Sequence, residues 1–166
     1  MNGENKTKKL TVMSLTVAVA MVLSFVESQI PAFVAVPGVK IGLANIAVVF
    51  ALYRLGWKEA VVISLIRVAL VSLLFGSIAS LLYSLAGAAL SLLGMGLLKK
   101  TGLFTEIVVS VTGGILHNVG QIGMACLILE TAALRYYLPF LLVSGIVAGI
   151  VVGLVSAVLV RRIRLP

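Results

Sequence analysis

Long apolar runs separated by short polar breaks dominate the chain. Counting the runs between those breaks predicts six membrane spans, at residues 10–30, 41–55, 59–75, 77–98, 104–129 and 137–160. A transmembrane helix needs about 20 mostly apolar residues, so the second and third spans are short. Gly76 and Ser77 form the whole break between spans three and four, which predicts a tight antiparallel hairpin. The pattern predicts an all-α membrane protein with one transmembrane domain over residues 1–166.

The basic residues predict the orientation of these spans. With the N-terminus in the cytoplasm, ten Lys and Arg fall on the inner side, whereas the outer side holds only Lys40 and Arg135. Cytoplasmic loops of membrane proteins carry such an excess of positive charge. An even number of spans also keeps both basic ends inside, so we expect six spans, cytoplasmic termini and a bacterial plasma membrane location. The ten inner bases are Lys6, Lys8, Lys9, Arg54, Lys58, Lys99, Lys100, Arg161, Arg162 and Arg164.

Composition supports lipid as the solvent of this chain. Hydrophobic residues make up 61% of the sequence and charged residues 11%, against about 25% charged residues in soluble domains. The net charge of +8 raises the question of a nucleic-acid partner. The bases lie in short clusters between apolar runs, not on one face among aromatic residues, so we expect membrane lipid and no nucleic acid as partner.

Small residues recur at helical spacing in the later spans, where they let neighbouring backbones approach closely. In the sixth span Gly145, Gly149 and Gly153 repeat every four residues. We interpret these stripes as packing inside the protein, although at least one could dock another membrane subunit. The stripe of the fourth span consists of Ser77, Ser80, Ser84, Gly87, Ser91 and Gly94.

Several polar residues lie within the predicted spans, where each is costly. Arg67 lies near the middle of the third span, and an arginine there costs about 2.5–3.5 kcal/mol on insertion scales. With the predicted orientation, the other polar positions converge on the outer half and centre of the membrane. This convergence predicts a cavity that opens outward. These positions are Glu27, Lys40, Asn45, Tyr83, His117, Asn118, Gln121 and Glu130.

Structural roles remain open for some of these residues. Arg67 could pair with Glu27, His117 could be a hydrogen-bonding residue between helices, and Lys40 could reach the water at the interface. For catalysis the sequence offers little: it has no Asp, one His, the single cysteine Cys126, and no phosphate-binding loop. We therefore expect a protein that is not an enzyme and has no cofactor and no metal.

Five strings together resemble one family. They are PGVKIGLAN (37–45), LIRVALVSLLFGS (65–77), LYSLAGAALSLL (82–93), HNVGQ (117–121) and YYLPFLLVSGIVAG (136–149). The family is heptaprenyl diphosphate synthase component I, also called the Gx transporter family. It resembles more remotely the S components of energy-coupling factor (ECF) transporters, six-span proteins that bind a vitamin-like solute from outside. Carrying over the family's motifs implies functional roles for Gly38, Lys40, Gly42, Asn45, Arg67, Tyr83, His117, Asn118 and Gln121.

The resemblance implies a substrate-binding subunit of an uptake transporter that captures a vitamin-like or isoprenoid- or quinone-related solute. Lys40, Arg67 and His117 would favour an anionic ligand. S components depend on a transmembrane coupling subunit and ATPase subunits, often docked through small residues of the first helix. The nearest equivalents here are Ser14 with Ala18 and Ala20 with Ser24. The alternative is an accessory subunit that assists isoprenoid-quinone or redox enzymes in the membrane without transport.

Overall fold

Six α-helices follow one another in the part of the chain that the structure, a computed structural model, describes, namely residues 3–29 and 42–163. No β-strand occurs in these two ranges, in agreement with the all-helical prediction. A short 3₁₀ helix, Ala133–Tyr137, precedes the last α-helix. The α-helices are α1 (Gly3–Gln29), α2 (Asn45–Arg54), α3 (Trp57–Phe75), α4 (Ile78–Thr101), α5 (Glu106–Ile128) and α6 (Leu138–Arg162).

The helix ends follow the polar breaks of the sequence. Only Gly76 and Ser77 separate α3 from α4, and the Ser77 side chain accepts a hydrogen bond from the Ser80 N–H at 3.2 Å. Such a cap satisfies one of the backbone donors that a helix start leaves without a partner. Gly102 ends α4 in the left-handed conformation with φ 70°, which glycine adopts without steric cost. The hairpin of α3 and α4 is therefore fixed by local chemistry.

Helix α2 lies in the centre of the core. All seven residues from Ile46 to Leu52 are buried. They pack with Ile63 of α3, Leu92 of α4 and Val152 of α6, among others. A helix that is apolar on every side belongs inside a bundle. Helices α1, α3 and α6 therefore pack directly against α2.

Glycines bring α4, α5 and α6 into close contact. A Cβ atom on Gly120 would lie 2.7 Å from the Ala86 carbonyl oxygen of α4. One on Gly114 would lie 2.5 Å from the carbonyl oxygen of Gly145 in α6. Similarly, Cβ atoms on Gly149 and Gly153 would meet the α5 backbone at 2.5 Å and 2.7 Å. The small-residue positions of these helices thus face each other inside the protein.

A lysine caps the C-terminal end of α2. The Lys99 ammonium of α4 donates a hydrogen bond to the Leu52 carbonyl oxygen and lies 5.3 Å from the centre of the Tyr53 ring. The last carbonyls of a helix have no partner within the helix, and a cation there also interacts favourably with the helix dipole. Lys99 therefore stabilises the end of α2 in addition to marking the predicted cytoplasmic side.

The outer surface of the bundle is apolar, as expected for a membrane protein. Four helices are long and apolar enough to cross a membrane by length and composition: α1, α4, α5, and α6 with the 3₁₀ helix. Helix α3 has 19 residues but includes Lys58, Glu59 and Arg67. The 10 residues of α2 extend about 15 Å, half of a hydrocarbon core of about 30 Å. Helix α2 alone therefore does not cross the membrane.

Candidate functional site

A cavity of about 140 Å³ lies between the helices, and all six of them contribute to its lining. Six of the seven residues predicted to bind substrate line it: Asn45, Arg67, Tyr83, His117, Asn118 and Gln121. The seventh, Lys40, lies outside the described residues, as does Gly38. Of the described polar residues that were expected to meet, all but Glu130 line this cavity; Glu130 is exposed and lies outside the lining.

Arg67 projects into this cavity from α3. Its Nε atom is buried and has no hydrogen-bond partner among the described residues. A buried charged donor without an acceptor is costly, because neither water nor protein compensates its desolvation. Arg67 is therefore the lining residue with the strongest need for a polar partner inside the cavity.

Glu27 of α1 borders the same cavity and is buried, with 9% of its surface exposed. Its carboxylate accepts a hydrogen bond from the Gly42 N–H at 2.5 Å, across 15 positions of the sequence. Gly42 has a positive φ of 77°, a conformation that residues with a Cβ rarely adopt. The bond links the outer end of α1 to the start of α2 and keeps the carboxylate at the cavity.

The hypothesis that Arg67 pairs directly with Glu27 does not describe this arrangement. Among the described residues, the ion pair within 4.0 Å joins Lys9 to Glu59, and Arg67 makes no such contact with Glu27. Both charges nevertheless line one cavity. The acid and the base are thus close enough to share a site, but each has capacity for a further partner.

Asn118 has a structural role as well as a place in the lining. Its amide nitrogen donates a hydrogen bond to the Leu141 carbonyl oxygen of α6 at 2.5 Å. The Ser144 hydroxyl donates to the same carbonyl at 2.9 Å. Asn118 therefore fixes α5 against α6, and its amide oxygen is the part that remains for the cavity.

His117 lies against α4 at a glycine. A Cβ on Gly87 would lie 2.7 Å from the His117 carbonyl oxygen and 2.9 Å from its Nδ1 atom, and equally close to the Gln121 side chain. Because Gly87 has no side chain, His117 and Gln121 can occupy the space beside it. This part of the lining depends on the small-residue stripe of α4, since any larger residue would displace both polar side chains.

The sequence analysis placed Glu27 among the converging polar residues but not among the residues predicted to bind substrate, and it did not predict that several hydroxyl groups would line the cavity. Serines of α1, α3, α4 and α5 also contribute to the cavity wall. Their spacing of three or four residues along α4 was visible in the sequence, but there it indicated packing. These serines are Ser24, Ser72, Ser80, Ser84, Ser91 and Ser110.

Of the two small-residue pairs on α1, one faces inward and one outward. Ala20 is fully buried and Ser24 lines the cavity, so these two residues are unavailable to another subunit. Ser14 and Ala18 are exposed on the outside of the bundle. Of these two pairs, Ser14 and Ala18 are therefore the one that is accessible to a partner helix.

Comparison with known proteins identifies the family of this chain. No curated protein and no solved structure matched it. The family model described as heptaprenyl diphosphate synthase component I matches residues 16–159. That match covers most of the sequence and every described residue of the cavity lining. It also includes the five strings on which the resemblance was based. The chain belongs to the heptaprenyl diphosphate synthase component I family.

Proposed function

We propose that this membrane protein is the substrate-binding subunit of a small-molecule uptake transporter and captures its ligand from the outer face. The observation that carries the proposal is the cavity lined by polar side chains, among them Arg67, whose Nε atom is buried and has no partner among the described residues. Most buried polar groups of folded proteins have a hydrogen-bond partner. Tyr53 and Arg54 also hold a buried polar atom without a partner among the described residues, but only Arg67 of these three lines the cavity. A ligand with acceptor oxygens would supply what Arg67 lacks.

The topology assigns a direction to this binding. If the chain has the six spans predicted from its sequence, ten bases lie on one side, and both termini would lie in the cytoplasm of a plasma membrane protein. In that orientation, Glu27 and the Gly42 turn lie near the outer surface, with Arg67 deeper. A solute would therefore enter from outside and meet Arg67 last.

The volume of the cavity favours a small ligand. Sites for drug-sized molecules measure about 300–1,000 Å³, whereas this cavity measures about 140 Å³. An engineered cavity of about 150 Å³ holds benzene. The volume thus favours a small metabolite over a quinone or an isoprenoid chain.

Transport would need energy from other subunits. The sequence contains no phosphate-binding loop of the kind that ATPases use. A transmembrane coupling subunit with two ATPases is the arrangement that the resemblance to S components implies. The exposed Ser14 and Ala18 on α1 offer a surface on which such a subunit could pack closely.

The family description favours a second candidate function. It calls the family a component of a heptaprenyl diphosphate synthase, which is compatible with an accessory subunit that assists isoprenoid-quinone or redox enzymes. The chain has no aspartate, and prenyl diphosphate synthases position Mg²⁺ and diphosphate with aspartate-rich motifs. We therefore propose no catalytic role of its own.

Mass spectrometry of small molecules that co-purify with the detergent-solubilised protein tests the proposal. We expect a bound metabolite in the wild type and in Lys100→Ala, a control that removes an exposed base outside the cavity. Arg67→Ala should weaken binding of the recovered molecule about tenfold to hundredfold, because a hydrogen bond to a charged donor contributes about 1.5–3 kcal/mol. Recovery of a prenyl synthase without any bound metabolite would support the accessory role instead.

A further inference from the structure

The cavity holds one acidic and one basic residue that do not neutralise each other by contact. Glu27 and Arg67 both line it, and no ion pair within 4.0 Å joins them among the described residues. Arg67 lacks a partner at Nε, and the Glu27 carboxylate accepts one backbone N–H, which leaves further acceptor sites free. The two charges are thus presented separately to whatever occupies the space between the helices.

Charge balance restricts the class of ligand. The described lining contains one acid, Glu27, and one strong base, Arg67, whose opposite charges sum to zero. A ligand with a net charge would leave that charge uncompensated in a medium of low dielectric constant, where an unpaired ion is unfavourable. A ligand that carries both signs would pair with both residues and keep the site neutral.

We propose, building on the function proposed above, that the ligand is a small zwitterion with an ammonium group and a carboxylate. Its carboxylate lies against the Arg67 guanidinium, and its ammonium group donates to the Glu27 carboxylate nearer the outer surface. The volume of about 140 Å³ admits a molecule of amino-acid size. The side chains of Asn45, Tyr83 and Gln121 supply hydrogen bonds to the remaining polar atoms. This class differs from the anionic ligand that Lys40, Arg67 and His117 predicted from the sequence.

Three matched series of probes test the proposal on the purified full-length protein. The first contains ω-amino acids from glycine to 6-aminohexanoate, the second the straight-chain carboxylates of the same lengths, and the third the corresponding alkylammonium ions. Binding is measured by titration calorimetry and by the rise in melting temperature. We expect at least one amino acid to bind the wild type at least about tenfold more tightly than its carboxylate and its alkylammonium counterparts.

Two variants that each remove one charge make the test specific for charge. Glu27→Gln leaves a net positive cavity, so it should lose zwitterion binding and gain binding of the plain carboxylate. Arg67→Gln leaves a net negative cavity and should show the opposite change, toward the alkylammonium ion. Glutamine at position 27 can still accept the Gly42 N–H, which favours folding of that variant. Should either variant fail to fold, the three series on the wild type decide the question alone.

Two outcomes would contradict the proposal that the ligand is a zwitterion. One is a carboxylate or an alkylammonium ion that binds the wild type as tightly as its amino-acid counterpart. In that case the protein still binds a solute, so the proposed function stands with a ligand of another class. The other is the absence of binding in all three series. The mass spectrometry of co-purified molecules then decides separately whether the subunit binds any solute.

Discussion

Gly149→Ala adds one methyl group where α6 contacts α5. A Cβ atom there would lie 2.5 Å from Val111 Cα and 3.1 Å from the Ser110 carbonyl oxygen. Carbon atoms pack at about 3.5–4.0 Å, so the helices must separate by about 1 Å. Both neighbours are backbone atoms, which means that no change of rotamer relieves the contact. The atoms that line a gap of that size lose about a quarter to a half of their dispersion energy.

Gly123→Ala provides the matched control. Gly123 lies exposed on α5, and no atom lies within 4 Å of a Cβ placed there. Alanine gains about 1 kcal/mol of helix propensity over glycine at both positions. The difference between the two variants therefore isolates the steric cost, which for overpacking is about 1–3 kcal/mol.

Thermal unfolding in detergent, followed by the fluorescence of Trp57, measures this difference. We expect the melting temperature of Gly149→Ala to fall below that of the wild type, and that of Gly123→Ala to equal or exceed it. Equal melting temperatures for the two alanine variants would refute the reasoning, because they would show that α5 and α6 are not in backbone contact at Gly149.

Three further predictions concern topology and single contacts. In a Cys126→Ala background, a cysteine at Ala132 should react with membrane-impermeant maleimide in intact cells and one at Lys100 should not; the reverse pattern would invert the orientation. Lys99→Met should lower the melting temperature because it removes the bond to the Leu52 carbonyl, about 1–2 kcal/mol, whereas Lys100→Met should not, and equal effects would argue against that contact. Asn118→Ala should destabilise the protein by about 1 kcal/mol through the loss of its bond to the Leu141 carbonyl, and an unchanged unfolding curve would show that this bond contributes nothing.

The helix bounds could be predicted to within a few residues at most ends, because the polar breaks coincide with caps and glycine turns. The start of α1 is the largest difference, at Gly3 instead of residue 10. Hydropathy reports where a helix meets the lipid, not where its hydrogen bonds begin. The polar residues before Leu10 are compatible with a helix, so α1 continues beyond the apolar run.

The candidate site could be predicted in composition but not in detail. The depth of a residue in the membrane follows from its position along the span. Depth alone therefore correctly predicted that Arg67, His117 and Gln121 lie around one cavity. Rotation and register of the helices depend on which small residues interlock in three dimensions. For this reason the bond from Asn118 to α6, the bond from Gly42 to Glu27 and the burial of Ser24 could not be read from the pattern.

The position of the two charges also bears on how the chain is made. Synthesis proceeds from the N-terminus, so under the proposed topology α1 reaches the membrane before α3. An arginine at the centre of a lone helix opposes insertion by about 2.5–3.5 kcal/mol. Glu27 on the earlier helix offers a compensating charge while α4, α5 and α6 are still being translated. Under this topology, we expect the same two residues that line the cavity of the finished protein to favour the insertion of α3 during biogenesis.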